Sequence, residues 1–244
     1  MGRTLFACGL ACGLLMTSHL ALADLELPEF NGFIAGAVTQ ENLPYANVDI
    51  DHQPSVLILG RLGDVFIEGN RAGYPLKRLG WGTLSALGQI RTHQHLEKDN
   101  SPLINEDRKR AIELGPQLSV PLGNGYVSQF TLFQDISGAH ESQEFEASVY
   151  KRFNFDNLQI VGTLAAQYQN KDLMNYYVGT DNYSAGAELT SEIELLATYD
   201  ITDDWSAIAV WRYYKHGSDF KNSPLTDGDT PKDWLLALVD SSKK

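Results

Sequence analysis

The sequence predicts an all-β protein, an antiparallel transmembrane β-barrel with a polar, acidic lumen. Three observations predict it: long segments that alternate with period two, aromatic residues at the ends of those segments, and connections that alternate between short and long.

The alternation is clearest from Ser184 to Tyr199. Ala185, Ala187, Leu189, Ser191, Ile193, Leu195, Ala197 and Tyr199 fall on one face, and Ser184, Gly186, Glu188, Thr190, Glu192, Glu194, Leu196 and Thr198 on the other. A helix would scatter these carboxylates around its circumference, whereas a strand gathers them on one side. The same pattern places Phe145, Ala147, Val149 and Phe153 opposite Glu144, Glu146, Ser148, Tyr150 and Arg152. It recurs from Leu158 to Gln169 and from Trp205 to Tyr214. Segments of about ten residues or more suit tilted strands crossing a hydrocarbon layer better than the shorter strands of soluble sheets. Alternation itself is shared with soluble barrels and sandwiches, so the other two observations carry the distinction.

Trp81, Tyr126, Phe153, Tyr168, Tyr199, Trp205 and Trp234 stand near predicted strand ends. Rings with an apolar body and a polar tip settle at membrane interfaces. The connections at 122–125, 155–157 and 200–204 are short, and those at 93–107, 170–183 and 216–231 are long. Membrane barrels pair short periplasmic turns with long external loops. Counting back from a periplasmic C-terminus, all three long connections fall outside. Nearer the N-terminus, strands are expected at 33–39, 55–61, 65–77 and 81–92. A further strand inside 45–52 makes the count twelve, and without the first segment it is ten. Either even number keeps both termini on one side.

Residues 1–23 read as a signal peptide that is removed: Arg3, an apolar stretch from Leu5 to Met16, then Ala21-Leu22-Ala23 before Asp24. Both cysteines, Cys8 and Cys12, lie in that segment, so 24–244 contains none and no disulfide framework is expected. The whole chain carries 19 basic and 31 acidic residues. Cleavage removes one base and no acid, which leaves a net charge of −13 and argues against a nucleic-acid partner. No linker or charge block divides 24–244, which is read as one barrel domain in contact with outer-membrane lipid. An exported barrel of this kind belongs to a Gram-negative cell envelope.

Read together, Arg71-Ala72-Gly73-Tyr74-Pro75-Leu76, Asn175-Tyr176-Tyr177-Val178-Gly179, and the closing run from Tyr183 through Trp205, Arg212-Tyr213 and Ser223-Pro224 resemble the MltA-interacting protein (MipA)/OmpV family of outer-membrane proteins. The resemblance is spread over most of 24–244. It implies a non-enzymatic scaffold that holds a lytic transglycosylase and a murein synthase together at the cell wall. Family members tend to close on a terminal aromatic residue, whereas this chain runs on past Trp234 to Lys244.

Asp135, Glu144, Glu146, Arg152, Glu188, Glu192, Glu194 and Arg212 are the candidate lumen-lining residues, with Arg91 on the same face. Charges in a narrow barrel must be paired or hydrated, which makes a filling network of salt bridges the first expectation. A carboxylate ring with few compensating arginines is the alternative, a small cation-preferring channel. A barrel enzyme acting on lipid or peptide is a second alternative, although no Gly-x-Ser-x-Gly or Gly-Lys-Ser/Thr motif is present and no catalytic residue is nominated. Asn175, Tyr176, Tyr177 and Tyr183 form an aromatic, polar loop suited either to gripping a partner or to packing over the barrel mouth. His93-Gln94-His95 lacks a third ligand, so neither metal nor cofactor is expected.

Overall fold

Period-two alternation builds a wall whose two faces have opposite chemistry. In the computed structural model, which describes residues 28–41, 43–46, 48, 51–92, 94–228 and 232–240, that wall closes on itself. The described strands are β1 (Phe30–Glu41), β2 (Asp51–Leu62), β3 (Val65–Glu68), β4 (Arg71–Leu79), β5 (Gly82–Arg91) and β6 (Ala111–Gly123). They continue as β7 (Tyr126–Asp135), β8 (Gln143–Phe155), β9 (Leu158–Gln169), β10 (Glu188–Asp200), β11 (Trp205–Lys215) and β12 (Lys232–Asp240). Each pairs antiparallel with its sequence neighbours, and β1 meets β12 through Ala37 opposite Ala237 and Gln40 opposite Trp234. The expected leader, residues 1–23, lies outside the described residues.

The faces are inverted relative to a soluble barrel. On β10, Leu189, Leu195 and Tyr199 are exposed on the outer face, while Glu188 and Thr190 are buried inside. An outer surface of Ile34, Val56, Leu164, Leu236 and Leu238 would be costly in water and is matched to hydrocarbon. Trp81, Tyr126, Phe153, Tyr199 and Trp205 stand exposed at one end of the barrel, and Tyr168 near the other.

Connections sort by end. At the turn end, 63–64, 80–81, 124–125, 156–157 and 201–204 link strands tightly. Asn124 and Gly125 both take positive φ, 52° and 81°, as a two-residue hairpin matched to the strand twist requires. At the loop end run 42–50, 92–110, 136–142, 170–187 and 216–231, with the two-residue turn 69–70 as the one short connection on that side among the described residues. Two of these carry α-helices, α1 (Lys171–Val178) and α2 (Ser218–Lys221), and 92–110 carries a 3-10 turn at Lys98–Asn100.

The count of twelve stands, but the strands that make it up differ near the N-terminus. The expected single strand 65–77 is the hairpin β3–β4, broken by Gly69-Asn70 with Gly69 at φ 63°. Among the described residues of 45–52, strand begins only at Asp51. Tyr45 there makes an isolated bridge to Thr226, and its hydroxyl donates to the Gln94 and Tyr177 carbonyls. The segment expected to begin at Ser184 becomes strand only at Glu188, because Ala185 and Gly186 are held by Asn175 and Asp219.

Candidate functional site

The lumen changes character along its axis. Nearest the loop end, Arg91 donates from Nε to Glu113 Oε1 at 2.9 Å and its Nη2 lies 2.8 Å from Glu144 Oε2. His140 Nε2 reaches Glu113 Oε1 at 3.0 Å, and Gln169 Nε2 donates to Glu144 at 2.9 Å. The Arg91, Glu113 and Glu144 side chains are only 1–2% exposed. Ions this deeply buried persist only because each carboxylate takes several charge-assisted hydrogen bonds.

One layer toward the turn end, Arg71 spans the lumen from β4 to β8. Its Nη1 and Nη2 donate to Glu146 Oε1 and Oε2 at 2.9 and 2.7 Å, and its Nε donates to Gln89 at 2.9 Å. The guanidinium also lies 5.5 Å from the Phe133 ring centre. Gln167 extends the layer by donating to Glu192 at 2.9 Å. Here Arg71 is 29% exposed. Further on, Arg212 donates to Glu194 at 2.6 Å, with side-chain exposures of 37% and 23%. Arg152 follows on the inward face of β8, exposed near the turn end. Beside this polar half, the inner faces of β1, β2, β11 and β12 contribute an apolar cluster: Ala35, Ala37, Leu57, Ile208, Val210 and Val239 pack together there.

Two candidate lumen residues shape loops instead. Asp135, at the end of β7, accepts the backbone N–H groups of Ser137, His140 and Glu141, each at 2.8 Å, and so folds 136–142. Glu188 accepts the N–H groups of Gly217 and Phe220, each at 2.8 Å, and anchors the start of α2.

Above the Arg91 layer, four loop-end connections share a hydrophobic core. Tyr45, Leu96, Ile104, Leu173, Met174, Tyr177, Val178, Ala185, Phe220 and Leu225 are all buried in it. Asn170 Oδ1 accepts the Leu173 N–H at 2.9 Å and starts α1. Asn175 clasps Ala185 through both its N–H and its carbonyl. Tyr177 donates to the Lys109 carbonyl at 3.1 Å, and the Tyr176 hydroxyl accepts the Lys109 N–H at 2.8 Å. Tyr183 donates to the Asp219 carbonyl. Burial pushes the Tyr45 and Tyr177 phenols up, so both stay protonated as donors. The four loop candidates therefore fasten the loop-end connections to one another, with Tyr177 buried and Tyr176 half-buried.

Sequence reasoning passed over Arg71, Gln89, Glu113 and His140. A polar residue between apolar neighbours marked Glu113, in Ile112-Glu113-Leu114, and Gln89, in Gly88-Gln89-Ile90. Chemically the network holds ions in fixed pairs. His140 and Glu113 form an imidazole–carboxylate couple beside Ser142, but Ser142 meets the ring with its backbone N–H while its hydroxyl donates to the His140 carbonyl. That hydroxyl is not aligned as a nucleophile activated by the ring. Among the described residues no three His, Cys, Asp or Glu side chains converge to hold a metal ion.

The model of the family described as MltA-interacting protein MipA matches residues 34–238. The chain is 28% identical over 144 residues to outer membrane protein Omp26La of Vibrio anguillarum, covering 55% of this chain and 54% of that protein. It is 27% identical over 144 residues to outer membrane protein OmpV of Vibrio cholerae serotype O1, with the same coverage of each chain. The matched segment spans about half the length of these relatives. A family match running from β1 to β12, together with an apolar-walled closed barrel, identifies the chain as an outer-membrane β-barrel that belongs to the MltA-interacting protein MipA family.

Proposed function

We propose that this barrel is a non-conducting, non-enzymatic scaffold whose turn end faces the periplasm, where it helps hold a lytic transglycosylase and a murein synthase together. The observation that carries this reading is the gradient of lumen exposure, from 1–2% at the Arg91 layer to 37% at Arg212, beneath a lid of packed loops. A lumen sealed at the loop end suits transport poorly and leaves the turn end as the working surface. The family name supports a lytic transglycosylase as partner. Affinity capture of the intact barrel from envelope extract is expected to recover both murein enzymes. Capture that recovers neither would overturn the scaffold reading.

A second reading is favoured by one observation. Glu113, Glu144, Glu146, Glu192 and Glu194 face Arg71, Arg91 and Arg212, an acidic surplus of the sort that lines cation channels. Stable cation-selective conductance in planar bilayers, reduced by Glu192→Gln with Glu194→Gln, would support it.

A further inference from the structure

The outward faces of β7, β8 and β9 carry a single charge. Phe130, Phe145, Val149, Leu158 and Leu164 are representative of this surface, and Lys151 is the one side chain on it that is ionised at neutral pH. Lys151 faces outward because it alternates with Tyr150 and Arg152, which share the lumen face of β8 with Glu146. An ammonium on a lipid-facing wall is tolerated near the interface, where it reaches water or an anion, and is costly deeper in the hydrocarbon.

Strand register fixes where this ammonium stands. Tyr126, the first residue of β7 after the tight turn, lies opposite Lys151 on one side, and Gly162 of β9 lies opposite it on the other. Lys151 Nζ is 4.4 Å from the Tyr126 ring centre and 5.2 Å from that of Phe153, two residues further along the same face. Both rings are exposed at the turn end, so cation–π attraction holds the charge at the level of the aromatic girdle, where lipid headgroups begin. Among the described residues no carboxylate lies within 4.0 Å of it. Gly162 leaves a notch in the wall beside it: a Cβ there would have only Leu195 Cδ2 within 4 Å, at 3.7 Å, among the described residues. A fixed cation, a phenol and an apolar notch thus stand side by side on the lipid face.

We propose that Lys151, Tyr126 and Phe153 form a binding site for an anionic phospholipid of the turn-end leaflet, its phosphate on the Lys151 ammonium and the top of one acyl chain in the Gly162 notch. Phosphate oxygens are charge-assisted acceptors for an ammonium, and the lipid supplies them at the depth where the two rings hold it. This goes beyond the scaffold reading and does not depend on it: the site would stand even if no murein enzyme were captured.

The test is native mass spectrometry of the intact barrel, released from neutral detergent micelles titrated with phosphatidylglycerol, with phosphatidylcholine as the comparison lipid. Phosphatidylglycerol is expected to stay bound at concentrations where phosphatidylcholine is lost. Lys151→Gln should weaken its retention by about tenfold, the value of a lost charge-assisted contact, whereas Lys151→Arg should keep it. Tyr126→Leu with Phe153→Leu preserves the charge but releases the ammonium from its rings, and should weaken retention severalfold. Lys77→Gln, at an exposed lysine of β4 toward the same end of the barrel, should leave retention unchanged. Folding of each variant is checked by circular dichroism. Equal retention of the two lipids by the native barrel, or no loss in Lys151→Gln, would overturn the proposal. So would an equal loss in Lys77→Gln, which would show attraction by surface charge in general.

Discussion

Arg71 and Glu146 meet across the lumen, a guanidinium from β4 and a carboxylate from β8 joined by two parallel hydrogen bonds of 2.9 and 2.7 Å. Strands that are not neighbours in the wall are thereby tied through the interior.

Removing one member of this pair strands the other. Arg71→Ala is expected to destabilise the barrel by roughly 3 kcal/mol, because it leaves Glu146 buried without its partner. Replacing both with leucine should recover most of the loss. Urea unfolding from micelles, followed by tryptophan fluorescence, measures both variants.

Gly73 faces Phe66 so closely that a Cβ at this position would overlap the far edge of the Phe66 ring. Gly73→Ala should therefore cost about 1–3 kcal/mol through overpacking. The double variant with Phe66→Ala should lose less than the two single costs combined, and a thermodynamic cycle of unfolding energies checks this.

His216 sits in the lid, stacked on Phe220 at 3.8 Å, with Nδ1 3.0 Å from the Thr190 hydroxyl. Burial, with a smaller contribution from Lys221, pushes its pKa down to about 4. The folded lid thus prefers the neutral ring. Stability is complete above the unfolded value near 6.5 and falls between there and about pH 4, by roughly 3 kcal/mol at most. Proteolysis of loop 216–231 should accelerate across that window in the native chain. His216→Gln should remove this part of the pH dependence.

The lid is held by apolar packing around Tyr177, so loosening it should open the mouth. Tyr177→Ala with Leu173→Ala is expected to produce conductance in planar bilayers where the native barrel gives none. Equal, silent traces from both would show that the lid does not do the sealing.

The wall of this barrel was legible because its chemistry is periodic. Glu192 and Glu194 with Ile193 and Leu195 between them declare a strand and its two faces without reference to anything distant. The β3–β4 hairpin was harder, since Gly69-Asn70 interrupts an otherwise continuous strand pattern by only two residues. The lumen was legible as a set of inward charges but not as pairs. Which carboxylate Arg71 meets depends on barrel closure and strand stagger, and Glu146 is 75 residues away. The lid was least visible. Tyr45, Leu96, Leu173 and Phe220 come from four separate connections, and no local pattern announces that they share a core.

The proposed scaffold has a lumen sealed at the loop end and open at the turn end. Residues 24–244 contain no cysteine, so single cysteines report cleanly. The direct measurement is labelling of Arg152→Cys and Gln89→Cys by a membrane-impermeant thiol reagent, applied to either side of reconstituted vesicles with uniformly oriented barrels. Rapid reaction is expected at position 152 from the turn-end side only, with protection at position 89 from the loop-end side. Reaction of both positions from the loop-end side would contradict it.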